Sequence, residues 1–364
     1  MEERQGTLEG LGLSMTFWAG RRVLVTGHTG FKGSWMSEVL LGLGAEVHGL
    51  ALAPETDPAL FDQLGLADRV AHVLGDIRDQ VVVREVVCRV APDVVFHMAA
   101  QPLVRRSYRE PVETWATNVM GTAHVLDALR GIEKPCAVVV ITTDKVYENR
   151  EWEHPYREID PMGGHDPYSA SKAGTEFVAA SWRSAFLSRT PIRLATARAG
   201  NVIGGGDWSE DRILPDLARA FGAGGELLVR NRHATRPWQH VLDPIAGYMM
   251  LAEALAGPEG ARFETGFNFG PEQSDQRSVG ELVAAAQRHW PGHVDDATDP
   301  DAPHEAGRLS LSIERARAML GWQPRWGFEE AVAQTILWYR DVAHGADPSD
   351  LVQQQITRFG LSGE

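Results

Sequence analysis

The chain has 364 residues, 43% of them hydrophobic and 23% charged, with a formal net charge of −14. That composition describes a soluble globular protein with core enough for one large or two moderate domains. The acidic balance argues against nucleic acid or an anionic membrane as the main partner, though not against an anionic small molecule held by a local arginine cluster. No apolar stretch reaches the ~20 residues of a membrane-spanning helix, and the opening MEERQGTLEG lacks the apolar core of a signal peptide. Residues 1 to about 15 are expected to be loosely ordered, with Met15 a second candidate start. Cys88 lies in a helical run and Cys136 just before an apolar strand. Both are expected as buried free thiols in a reducing, cytoplasmic setting, and no Cys/His spacing suggests a metal.

Arg22–Trp35 reads RVLVTGHTGFKGSW. Val23–Val25 suits a buried strand, and Trp35, Met36, Val39, Leu40 and Leu43 follow at helical spacing. Between them Gly27, Gly30 and Gly33 recur every third residue, with Thr29 and Phe31 in the same turn. Strand, glycine turn and helix, in that order, bring backbone N–H groups and a helix N-terminus to a pyrophosphate. The spacing departs from the GxGxxG of ordinary dinucleotide folds. Ala45–Leu52 is a second strand with no acidic residue at its end. Residues 45–65 hold no Lys or Arg, which favours NAD over NADP but leaves ribose recognition open, with Glu55 and Asp57 the nearest acids. Val70–Leu74 is a third strand, and Asp76 and Ile77 follow it. There Asp76 either accepts from an adenine amino group while Ile77 packs on the ring, or Asp76 or Asp79 caps the helix Val81–Val90. Asp93–Ala100, DVVFHMAA, is a fourth strand whose small end, Ala99 and Ala100, leaves room for a dinucleotide. A helix over Asn118–Leu129 and a fully buried strand over Ala137–Ile141 complete the first half. The alternation specifies an α/β fold, a doubly wound parallel sheet with its ligand at the carboxyl ends of the strands.

The reactive residues leave the end of that last strand. Thr142-Thr143-Asp144-Lys145 places a charged pair directly after a buried run. In Pro167–Lys172, PYSASK, Tyr168 and Lys172 are four apart and share a helix face. A phenol near pKa 10 is a poor base at neutral pH, and a neighbouring ammonium is expected to lower it.

Together the motifs resemble the extended short-chain dehydrogenase/reductases that act on nucleotide sugars, from about Phe17 to about Asp341. Among them the CDP-glucose 4,6-dehydratases are most similar. The carrying segments are Gly27–Trp35, His97–Arg105, Tyr156–Glu158, Gly200–Trp208 and Arg236–Val241. The resemblance implies a Rossmann domain binding a recycled NAD, with Gln101 and Asn118 joining Gly27, Thr29, Gly30, Phe31, Gly33, Asp76, Ile77, Ala99, Ala100, Tyr168 and Lys172 around it. It implies that Tyr168 takes the proton of the sugar C4 hydroxyl, with Thr143 on the same oxygen, while hydride passes to NAD. The C5 proton then leaves, protonated Asp144 donates to the departing C6 hydroxyl, and hydride returns to C6. One departure matters: the related dTDP-glucose and GDP-mannose enzymes carry Thr-Asp-Glu where this chain has Thr143-Asp144-Lys145. Lys145 is therefore the candidate C5 base, directly or through water, its pKa lowered by burial or by a cation such as Lys172, or else an electrostatic stabiliser of the enolate.

The second half is expected to bind the nucleotide sugar. Ile192–Ala199 is a strand leading to Asn201, and Gly204–Gly206 marks a crossing between domains. Arg105, Asn201, Arg212, Leu214, Arg236, His240, Asn268 and His304 are the candidate substrate contacts, with arginine suited to a diphosphate. A C-terminal helix and turn is expected within Leu309–Trp326. The domain reading is 15–203 for the dinucleotide domain, with a return segment at about 239–270, and 204–238 with 271–345 for a smaller, discontinuous substrate domain. Residues 1–14 and 346–364 are read as flexible ends. The resemblance also implies a homodimer through helices at roughly Pro111–Leu129 and Tyr168–Phe186.

Overall fold

Seven short apolar runs form one parallel sheet in the computed structural model, which describes residues 13–297 and 307–362. The strands are β1 (Arg22–Thr26), β2 (Glu46–Ala51), β3 (Ala71–Leu74), β4 (Val94–His97), β5 (Cys136–Thr143), β6 (Ile192–Ala199) and β7 (Gly266–Phe269). Their order is β7-β6-β5-β4-β1-β2-β3, and every neighbouring pair is parallel. Strands buried on both faces read as continuous apolar runs, and all eight residues of β5 are buried. Chain order reverses between β1 and β4, so the crevice that receives a ligand opens at their carboxyl ends.

Helices cover both faces. On one face α1 (Phe31–Gly42) packs with α6 (Leu242–Ala256), which is apolar nearly all round and buried accordingly. On the other lie α2 (Gln80–Val90), α3 (Gly121–Leu129) and α4 (Pro167–Trp182). The α2 N-cap is Asp79, whose carboxylate accepts from the Val81 and Val82 N–H groups. Asp76 is instead bound by the Arg78 guanidinium, so of the two capping candidates only Asp79 serves. A smaller lobe sits over the strand ends. It contains α5 (Ile213–Gly222), α7 (Phe328–Ala343) and the parallel pair Glu226–Val229 with His293–Asp296 around its own apolar cluster.

Four expectations change. Leu13 is fully buried and the Ser14 N–H donates to Glu253, so order begins before Met15. Residues 348–359 form α8 (Pro348–Phe359), whose Val352, Ile356 and Phe359 are buried against the first domain, so that end is built into the core. Cys136 is a buried free thiol, but Cys88 is exposed on the solvent side of α2, opposite its buried stripe of Val83, Val86, Val87 and Val90. The fourth strand stops at His97, since Met98 and Ala99 turn their N–H groups onto the Thr26 hydroxyl. The expected C-terminal helix and turn are present, the helix over Glu314–Leu320 and the turn at Gly321 in the left-handed region.

Candidate active site

A cleft of about 1430 Å³ lies between the sheet ends and the smaller lobe. The glycine turn forms its floor. Gly27 has φ +76°, and a Cβ there would stand 2.7 Å from the Ala99 nitrogen, so only glycine fits. At Gly30 a Cβ would meet only the Gly27 carbonyl, at 3.5 Å. That face is open to the cleft. Gly30 is also the N-cap of α1 and no side chain caps the helix. Its first N–H groups are therefore offered to the cleft, as an anionic diphosphate requires. Thr29, Phe31, Gly33, Asp76, Ile77, Ala99 and Ala100 line the same space. The residues present thus fit a dinucleotide.

Gln101 and Asn118 do not reach the cleft. The Asn118 side chain accepts from the Gln101 N–H and donates to the Gln101 carbonyl and Ser171 Oγ. The Gln101 side chain is spent on Leu103 and Thr114. Both are buried braces between the strand-end loop and α4, because their hydrogen-bonding capacity closes internally.

The reactive groups meet where β5 ends. Thr143 Oγ1 donates to Asp144 Oδ1 at 2.9 Å. Asp144 Oδ2 is buried and has no partner among the described residues. A Cβ on Gly200 would lie 3.0 Å from that oxygen, which makes Gly200 part of the site's shape. Tyr168 and Lys172 face the same space from α4, which Asp166 caps through the Ser169 N–H. Burial pushes the Tyr168 phenol up to about 12, against the pull of a hydrogen bond with Thr143 and of the Arg212 charge. Lys172 is not among the groups relieving it, contrary to the expectation from helix spacing. The Lys172 ammonium is turned to the Ile141 carbonyl at 3.1 Å and is itself pushed down to about 7 by burial and by Lys32. Lys145 is only half-buried at the cleft wall.

Lys32 is the residue that sequence reasoning passed over. It stands in the glycine turn, lines the cleft, and is lowered to about 8 by burial and by Arg212, while Asp207 and Asp144 oppose the shift. The cation that bears on Lys172 is Lys32.

On the lobe side Arg105, Asn201, Arg212, Leu214 and Arg236 all line the cleft. Two candidates do not. His240 is fully buried between the Trp35 and Trp326 rings, and burial holds it down to about 3. Asn268 accepts from the Tyr147 hydroxyl and donates to the Tyr156 and Ser312 carbonyls, so its amide is saturated. His304 lies outside the described residues. Arg230, Asn231 and Arg232 reach the cleft without having been singled out. Among the described residues, no group of three or more His, Cys, Asp or Glu is placed to hold a metal.

Comparison with known proteins agrees with this arrangement. The family model described as GDP-mannose 4,6 dehydratase matches residues 24–335. A CDP-glucose 4,6-dehydratase of Salmonella typhimurium is 46% identical over 356 residues, covering 95% of this chain and 98% of that one. A dTDP-glucose 4,6-dehydratase of Streptomyces antibioticus is 32% identical, covering 88% and 92%. Among solved structures, the dTDP-glucose 4,6-dehydratase DesIV of Streptomyces venezuelae, determined with NAD bound, superposes with a TM-score of 0.74 at 24% identity, covering 90% and 99%. On the match over residues 24–335 and the Salmonella relative, the chain belongs to the GDP-mannose 4,6-dehydratase family and is a 4,6-dehydratase.

Proposed function

We propose that this chain converts CDP-D-glucose to CDP-4-dehydro-6-deoxy-D-glucose with NAD held in the cleft. The observation that carries the chemistry is Asp144 Oδ2, a buried carboxyl oxygen with no partner among the described residues, at the wall of the cleft that Thr143 and Tyr168 also line. An acid so placed suits protonation of a leaving hydroxyl. The base and sugar rest on the Salmonella relative, which is named a CDP-glucose 4,6-dehydratase.

Gly27, Gly30, Gly33 and the first turn of α1 would hold the diphosphate of NAD, and Asp76, Ile77, Ala99 and Ala100 its adenosine half. The chemistry supplied there is hydride uptake from the sugar and its return. Tyr168, as the phenolate, accepts the C4 hydroxyl proton. Burial pushes the phenol up to about 12, and the Thr143 hydrogen bond and the Arg212 charge favour the phenolate that this step needs. Asp144 donates a proton to the C6 oxygen. Lys145 serves the C5 proton, as its acceptor or by stabilising the enolate charge. Arg105, Asn201, Arg212, Leu214 and Arg236 face the nucleotide sugar.

The protein works as a homodimer. Val112, Trp115, Met120, Phe177 and Phe186 are large exposed apolar side chains on the adjacent helical segments 111–129 and 167–187. A cluster of this kind is normally covered by a partner. No helix among the described residues is long and apolar enough to cross a membrane.

The test is incubation with CDP-glucose, dTDP-glucose, GDP-mannose and UDP-glucose, with and without added NAD. Base-induced absorbance and loss of one water by mass spectrometry report the 4-keto-6-deoxy product. Turnover of CDP-glucose above the others is expected. Turnover of a different nucleotide overturns the specificity, and isomerisation without water loss overturns the dehydration.

A further inference from the structure

Glu176 has no part in the chemistry above, yet it is a buried charge. It lies one turn beyond Lys172, so Tyr168, Lys172 and Glu176 form a single stripe along α4. Its carboxylate accepts from Arg198 Nε at 2.8 Å and Nη2 at 2.9 Å, from Thr142 Oγ1 at 2.6 Å and from Thr196 Oγ1 at 2.7 Å. Glu176 is 5% exposed and Arg198 2%. Those four bonds hold the carboxyl below its ordinary range despite its burial.

A buried ion pair is a poor way to gain stability. Desolvation offsets most of the attraction, and a matched apolar pair often does as well or better. What an ion pair with converging hydrogen bonds adds is a defined register. Here the register belongs to the reaction centre. Ile141, Thr142 and Thr143 are consecutive in β5. The Ile141 carbonyl takes Lys172, the Thr142 hydroxyl bonds Glu176, and Thr143 meets Tyr168. Arg198 then extends the connection. Its Nη1 donates to the Tyr147 hydroxyl at 2.8 Å, and Tyr147 directly follows the turn Asp144–Val146. The pair therefore ties the helix carrying Tyr168 and Lys172 to the turn carrying Asp144 and Lys145.

We propose that Glu176 and Arg198 are positioning residues of the reaction centre, setting the depth and register of α4 against β5 and so the placement of Tyr168 and Lys172 relative to Asp144. The inference rests on the reading of the cleft as the dehydration site. Glu176 also supports the charge of Lys172, which Lys32 of α1 opposes; Tyr168 on α4 and His97 on β4 are the other titratable groups facing it.

The test is E176M/R198M in the full chain, which replaces the pair by apolar side chains and strands no charge. The variant is expected to melt cooperatively near the wild-type temperature. Its kcat on the nucleotide sugar that the wild type turns over should fall about 30-fold with KM nearly unchanged, the size of loss that misplaced reacting groups produce. The alkaline limb of its kcat profile should move to lower pH, because Lys172 loses the carboxylate that sustains its charge. A folded variant with wild-type kcat and an unmoved limb overturns the proposal. If the double variant does not fold, T142V/T196V keeps the ion pair and removes two of its four bonds. A loss of about 3-fold in kcat with KM nearly unchanged is then expected, with the limb in place because the carboxylate remains, and a wild-type kcat overturns the proposal. If the wild type dehydrates no nucleotide sugar, the reading of the cleft fails first. The titration of Lys172, followed by NMR of labelled lysine, then decides: its midpoint falls in the variant if Glu176 acts as proposed and stays put if it does not.

Discussion

The two walls of the cleft treat charge in opposite ways. On the sheet side, Lys32, Asp144 and Lys172 line the cleft with Glu176 buried behind them, and each lysine is pushed well below its ordinary value, to about 8 and about 7. On the lobe side, Arg105, Arg212 and Arg230 are partly exposed, each with a carboxylate close by. Arg230 pairs with Asp211 at 2.7 Å, Arg212 with Asp207 at 3.4 Å, and Arg105 with Asp211 at 3.8 Å. Buried charges act on one another at nearly full strength, while exposed pairs are screened and contribute little. The first wall is built to shift protons and the second to receive an anion without having to create a site for it.

The largest effects therefore belong to the sheet side. Tyr168→Phe removes one hydroxyl and no bulk. It should lower kcat by about 10³-fold, the scale of a lost acid–base group, with an unchanged circular dichroism spectrum and melting temperature. A loss under about 10-fold in steady-state kcat would show that the proton goes elsewhere and would break the comparison at its centre.

Lys32→Met tests the coupling within that wall. With the opposing ammonium gone, Lys172 should hold its proton to higher pH, so the alkaline limb of kcat moves upward, opposite to the shift expected for loss of Glu176. Above about pH 7 the rate should rise by about 3-fold, as expected when one partly screened like charge is removed. Stability follows the same sign. The folded-state value of Lys172, about 7, lies below its ordinary 10.5. Its unfavourable contribution is therefore complete below about 7 and fades as pH rises toward 10.5. The variant should accordingly melt higher than wild type at pH 6, with the advantage shrinking in alkali. An unmoved limb would mean that Lys32 and Lys172 do not sense each other.

Sequence and structure part company along the same line. The glycine turn was readable because it is a short contiguous motif, and the Tyr168–Lys172 pair because residues four apart share a helix face, though that spacing does not show the ammonium turning to the Ile141 carbonyl. The sheet was readable because buried parallel strands are continuous apolar runs. Lys32 looked like a spacer between glycines, since its effect on Lys172 arises only when α1 and α4 converge on the same strand ends. His240, Asn268, Gln101 and Asn118 are the converse case. Their residue types suit ligand contacts, but a sequence does not show that their bonding capacity is already closed by neighbours such as Tyr147 and Ser171. Two misses were avoidable. Val352, Ile356 and Phe359 stand at i, i+4 and i+7, an ordinary amphipathic signal for the last helix, and Cys88 is off the valine stripe of its own helix.

The smallest effect is expected on the lobe side, and its form distinguishes the walls as well as its size. Arg230→Ala removes a cleft-lining guanidinium that already shares Asp211 with Arg105. Its neighbours stay charged, so the anion site is weakened and not abolished. KM for the nucleotide sugar should rise about 3- to 5-fold while kcat stays within about 2-fold, consistent with the ~1 kcal/mol that an exposed charge contributes. Because the contact is open to solvent, the difference between variant and wild type should shrink as salt is raised. The shifts on the sheet side, shielded from ions by burial, should persist in the same buffers. A salt-insensitive fall in kcat for Arg230→Ala would place this arginine with the reacting groups and erase the distinction between the two walls.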